Sequence, residues 1–139
     1  MIGMRSWLLM LLGPSLLVLA SCSDAGDPLG PLTPDPPALS YVTDVQPIFD
    51  ANCIVCHGDG GNGGLDLRAP QSHGNLVDIT SPNYGARRVV PNDPDESVLI
   101  DKLEGGGRFG SRMPPSGEPL SSTQLATLRQ WVADGARSE

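Results

Sequence analysis

The chain has 139 residues and a formal net charge of -7, with 17 Gly, 14 Pro and only 4% aromatic residues. That length fits one domain with an appendage, and so few aromatics make a thin core if side chains alone must fill it. The acidic balance argues against nucleic acid as a partner because phosphate would be repelled, and the absence of a like-charge block leaves an ordinary solvated surface.

In chain order, the first feature is a positive charge at Arg5, then an apolar run from Trp7 to Ala20 interrupted by Gly13 and Pro14. This is too short and too broken for a membrane span and reads as an export signal over residues 1–21. Its end, Leu19-Ala20-Ser21-Cys22, resembles the lipobox of bacterial lipoproteins. The resemblance implies that Cys22 takes a diacylglycerol and anchors the mature chain to a membrane, facing the periplasm or cell surface. Ser23 in place of an acidic residue favours the outer membrane. The competing reading is a soluble secreted protein with Cys22 as a stray thiol. Residues 22–39 then form a tether, where Pro28, Pro31, Pro34, Pro36 and Pro37 prevent helix and favour extended backbone.

The domain is expected over residues 40–139, all-α, with three predicted helices and long irregular Gly/Pro-rich loops. The first covers Asp44 to Asn52, with Thr43 as N-cap, Gln46 closing a capping box, and Val45, Ile48 and Phe49 on its apolar face. The second covers Pro94 to Leu103, started by Asp93, Pro94 and Glu96 and stopped by Gly105-Gly106-Gly107. The third begins at Ser121 with Gln124 as its box partner. It presents Leu125, Leu128, Trp131 and Val132 on one face and ends at Gly135. Between the first two lies an irregular stretch, Gly58 to Asn92, of a length that wrapping a cofactor would explain.

The chemistry concentrates in Cys53-Ile54-Val55-Cys56-His57. In an exported chain this pattern reads as the attachment site of one covalent haem c. Two thiols three positions apart share one helical turn, so each can add to one vinyl group of the same porphyrin. His57 then offers an imidazole nitrogen to the iron. Three alternatives compete: a thioredoxin-like thiol pair, a zinc site and a strained local disulfide. For the second iron ligand, Met113 is the only methionine outside the export signal, in Arg112-Met113-Pro114-Pro115. His73 is the rival, an iron with an open position is the third option, and Met113 could also be a gap-filling methionine.

Cys53 to His57, Met113-Pro114 and a closing helix with Trp131 resemble the class I c-type cytochromes over Tyr41 to Ala136. The likeness extends to cytochrome-c-like domains of exported bacterial lipoproteins through Gly64-Leu65-Asp66-Leu67, Ser97-Val98-Leu99 and Trp131-Val132-Ala133-Asp134-Gly135-Ala136. The resemblance implies a small helical domain around one haem, in which the first and last helices cross at Phe49, Leu128 and Trp131. It also implies a hydrogen bond from His57 to a proline carbonyl, for which Pro70 is the candidate. Arg108 and Arg112 are candidates to neutralise haem propionates. The expected function is single-electron transfer to redox partner proteins, not catalysis. The alternatives are a haem sensor or haem-dependent enzyme with an open iron position, or a module anchoring a larger complex. Two further patterns are expected to be decoys. Gly58-Asp59-Gly60-Gly61-Asn62-Gly63 matches a dinucleotide fingerprint but follows no strand, and Asp59, Asn62 and Asp66 could offer oxygens to calcium.

Overall fold

The computed structural model describes residues 38–139. The expected export signal, Cys22 and the tether up to residue 37 lie outside the described residues. Among the described residues the regular structure is helical, with no strand and no helix long and apolar enough to cross a membrane.

The chain enters the fold through a single π-helical turn, Tyr41–Val45, which runs directly into α1, Gln46–Asn52. Helical backbone therefore starts three residues before the predicted Asp44, and Ser40 replaces Thr43 as the cap. Ser40 Oγ accepts from the Thr43 N–H at 3.4 Å, and the Asp44 carboxylate takes the Ser40 N–H at 2.7 Å. That reciprocal pair satisfies donors otherwise orphaned at a helix start. Gln46, the expected box partner, is buried instead. Its amide donates to Asp50 Oδ1 at 2.7 Å and to the Leu67 carbonyl at 3.0 Å, so it ties α1 to the loop that follows.

The predicted irregular stretch contains a single 3-10 turn, Asn62–Gly64, and one short α-helix, α2, Ser72–Leu76. Its sequence, with Gly74 and Asn75, is a poor helix former, and neighbouring contacts hold it. Asn75 Nδ2 donates to the Asp66 carbonyl at 2.9 Å, and Leu76 is fully buried. After α2, isolated bridges pair Val77 with Val89 and Thr80 with Arg87 across a turn at Ser81–Gly85.

Helix α3, Val98–Glu104, starts later than predicted. Asp93 caps a separate turn by accepting the Glu96 N–H at 3.1 Å. Ser97 then stays extended because its buried hydroxyl donates to the Asp93 carbonyl and accepts from the Val90 N–H. Gly105, with φ 77°, ends the helix in the left-handed region where glycine carries no Cβ penalty. Helix α4, Ser122–Ala133, has the predicted Ser121–Gln124 capping box and closes at Gly135.

Burial follows the predicted faces. Val45, Phe49, Leu67, Leu76, Val89, Ile100, Leu128, Trp131 and Val132 make one core at 0–2% exposure. The Tyr41 ring packs between Phe49 and Trp131, with centroids at 6.4 and 5.3 Å. The first helical segment and the last thus meet through aromatic side chains.

The Tyr41 hydroxyl donates to Ser72 Oγ at 2.7 Å, and Ser72 in turn donates to Gln46 Oε1. Burial pushes the phenol up to about 12 from its ordinary 10. The folded state therefore favours neutral Tyr41, a contribution fully present below pH 10 and lost as pH rises through 12. That loss is expected to be about 2–3 kcal/mol. Tyr41→Phe should flatten it in urea unfolding followed from pH 9 to 12, and an unchanged alkaline limb would contradict the assignment.

Candidate functional site

Helix α1 loosens just where the cysteines begin. The Phe49 carbonyl accepts from both the Cys53 N–H at 2.8 Å and the Ile54 N–H at 3.2 Å. One further turn follows, closed by the His57 N–H on the Cys53 carbonyl at 2.8 Å. The two intervening apolar residues part company: Ile54 packs on the core and Val55 is 93% exposed. Cys53 is half-buried, Cys56 is exposed, and neither is in a disulfide. Burial, and secondarily Cys56, pushes the Cys53 thiol up to about 11. Cys53 is therefore not the thiolate with which a thioredoxin-like pair would attack near neutral pH.

The loop after the motif returns to hold the imidazole. His57 Nδ1 lies 3.0 Å from the Asn62 carbonyl. A carbonyl can only accept, so Nδ1 carries the proton and Nε2 keeps its lone pair for a metal. The bond predicted to a proline carbonyl thus goes to Asn62 and not Pro70. The return depends on close backbone approach. A Cβ at Gly61 would lie 2.7 Å from the Gly58 carbonyl oxygen and 2.9 Å from that of Cys56, and one at Gly58 would lie 2.8 Å from that of Ile54. Gly58 and Gly61 of the dinucleotide-like pattern therefore serve the close backbone turn beside His57. Beyond the loop, the Leu67 N–H donates to the His57 carbonyl at 2.7 Å.

Above this turn lies a cavity of about 670 Å³, counting the space of its open mouth. Cys53, His57 and Met113 line it together with Leu65, Leu67, Leu76, Val98, Leu99 and Leu103. An adjoining hollow of about 460 Å³ is lined by Cys56, Pro114 and Pro115. It shares Cys53, His57, Asn62, Leu103 and Met113 with the first, so Cys53, Cys56, His57 and Met113 all border this pair of adjoining hollows, together the trough. Met113 is held there by its N–H on the Lys102 carbonyl at 2.7 Å, which fastens the proline loop to α3.

The rival ligand is elsewhere. His73 donates from Nε2 to the Ala136 carbonyl at 2.8 Å, and its ring packs edge-on to Tyr41 and Trp131. It is absent from the trough lining. Among the described residues, no three His, Cys, Asp or Glu side chains are grouped so as to hold a metal ion. That leaves the zinc reading without a ligand set. Asp66 instead binds Arg68 at 2.7 Å, and hydrogen bonds from that residue hold its carboxyl well below the usual carboxylate range.

The basic residues differ from the expectation. Arg108 pairs with Glu96 at 2.9 Å and stacks on Phe109, while Arg112 packs against Gly105. Neither lines the trough. Arg88 and Lys102 do, and nothing in the sequence marks them, because their placement depends on how the Thr80–Arg87 bridge and α3 come together. Tyr84, on the turn after Ser81, also borders the cavity, against Phe109 at 5.5 Å.

No family model matches the sequence, and neither the curated proteins nor the solved structures contain a match to it.

Gly61→Ala tests the loop's role. Crowding against two carbonyls should destabilise the fold by about 1–3 kcal/mol. The protected Nδ1–H resonance of His57 should broaden or vanish in proton NMR. A variant with wild-type stability and an unchanged resonance would show that the loop does not position the ring.

Proposed function

We propose that residues 40–139 form a cytochrome c-like domain that carries one covalent haem c between His57 and Met113 and passes single electrons. The observation that carries the reading is the shared trough: Cys53, Cys56, His57 and Met113 border it, while His73 is committed to Ala136. The chemistry of the donors fits the group. Each thiol S–H can add across one vinyl, the Nε2 lone pair of His57 is available, and the thioether is a soft ligand.

Haem c, when bound, supplies a ferric/ferrous couple. The chain's own residues set its surroundings. Asn62 fixes the His57 tautomer and raises its basicity as a ligand. Met113, with a sulfur that favours ferrous iron, holds the potential above that of a two-histidine site. The leucines of the trough keep water away and lower the local dielectric, which also favours the less charged ferrous state. With two ligands fixed by a backbone turn and a proline loop, electron exchange needs little rearrangement. The same reading makes the protein an exported carrier, lipid-anchored through Cys22 and serving redox partner proteins. The export-signal pattern over residues 1–21 and its lipobox-like end at Cys22 support that part.

The optical spectrum tests the ligand pair. The oxidised protein should show the weak sulfur-to-iron band at the red end of the visible range, and the reduced protein should not bind carbon monoxide. Met113→Ala should abolish the band and open the iron to carbon monoxide. Retention of the band in that variant would exclude Met113 as the ligand. Carbon monoxide binding by the wild type would favour a sensor or enzyme with an open iron position.

A further inference from the structure

Charge in this acidic chain is distributed unevenly around the trough. The cavity lining contains two cations, Arg88 and Lys102, and no Asp or Glu. Elsewhere in the described residues Arg68, Arg87, Arg108 and Arg129 all pair with carboxylates. Arg88 is 8% exposed, and among the described residues its side chain is bonded only to neutral carbonyls: Asn75 at 2.8 Å, Gly64 at 2.9 Å and Gly63 at 3.2 Å. Lys102 Nζ likewise meets only the Tyr84 hydroxyl at 3.2 Å and the Phe109 carbonyl at 3.1 Å. A buried guanidinium without a counter-charge is expensive, and proteins rarely keep one unless something anionic completes it.

A guanidinium has five N–H donors in a planar fork suited to a carboxylate. The three carbonyl bonds leave part of that fork without a protein acceptor. No fully buried side-chain polar atom among the described residues lacks a partner, so Nε, the one guanidinium nitrogen with no acceptor, is not sealed in the core. The carbonyl bonds also fix the guanidinium beside Gly63, itself part of the cavity lining, and so aim a preorganised cation at whatever fills it.

We infer that Arg88 is an anion anchor: it receives an ionised carboxylate of the cavity's ligand, with Lys102 as a second, more exposed cation. The inference rests on the haem reading above, in which the carboxylates are the porphyrin propionates. It assigns the carboxylate-bearing edge to the Arg88 side of the cavity, and replaces Arg108 and Arg112 in that role. Arg88 acts as a positioning residue. Pairing removes the effect of the negative charge on the iron and keeps the carboxylate ionised across the neutral range.

Redox titration of the holoprotein from pH 5 to 9 tests this. The wild-type potential should be flat near neutrality. In Arg88→Gln the freed carboxylate should favour the ferric state at least tenfold at pH 8, a fall of 59 mV for one electron. The potential should recover as pH drops and the carboxylate takes up a proton. Arg88→Lys should restore most of the wild-type behaviour, which a purely structural role would not predict. Should Arg88→Gln fail to fold, Lys102→Gln, at a more accessible side chain, should show the same pH-dependent fall in smaller measure. Haem-loaded variants with wild-type potentials at every pH would overturn the anchor and leave the electron-transfer reading standing. A wild-type protein that never acquires haem would remove that reading itself.

Discussion

The hydrogen bond between His57 Nδ1 and the Asn62 carbonyl, 3.0 Å long, sets the order of everything around it. To make it, the chain must leave α1 through one more turn and double back over Gly58 and Gly61. It then passes His57 again at Leu67, whose N–H takes the His57 carbonyl. That path brings Leu65 and Leu67 to the cavity wall and Asp66 to the point where it holds Arg68 and Asn75. Asn75 in turn gives its carbonyl to Arg88. One imidazole orientation is thus linked by successive hydrogen bonds, from backbone and side chains, to the far wall of the cavity.

The opposite wall is built independently. Lys102 on α3 holds the Met113 N–H, and α4 packs behind α3 on the shared core. The two halves of the trough are joined by the aromatic meeting of Tyr41, Phe49 and Trp131. In a domain this poor in aromatics, those three rings carry a large share of the apolar burial that holds the two walls together.

What the sequence made legible were features that depend on a few adjacent residues. The apolar face of α1, the Ser121–Gln124 box of α4 and its Gly135 stop are local patterns, and each is present as expected. The Cys53–His57 pattern and Met113 likewise rest on residue type and spacing, and the fold brings these residues to adjoining hollows. Features decided by distant contacts were not. Helix α2 has too little propensity to announce itself and relies on Asp66. Helix α3 begins late because Ser97 spends its hydroxyl on Asp93 and Val90. The basic residues show the point most clearly: Arg88 and Arg108 look alike in the sequence, and only the tertiary fold sends one to a cavity and the other to Glu96.

Intact mass of the protein, purified from cells able to attach haem and measured in denaturant, tests the central claim most directly. The account predicts a species heavier than the polypeptide by one iron porphyrin, stable to unfolding and acid extraction, and lost when Cys53 and Cys56 are both replaced by Ala. A wild-type mass lacking the iron porphyrin, or a porphyrin released on unfolding, would contradict it.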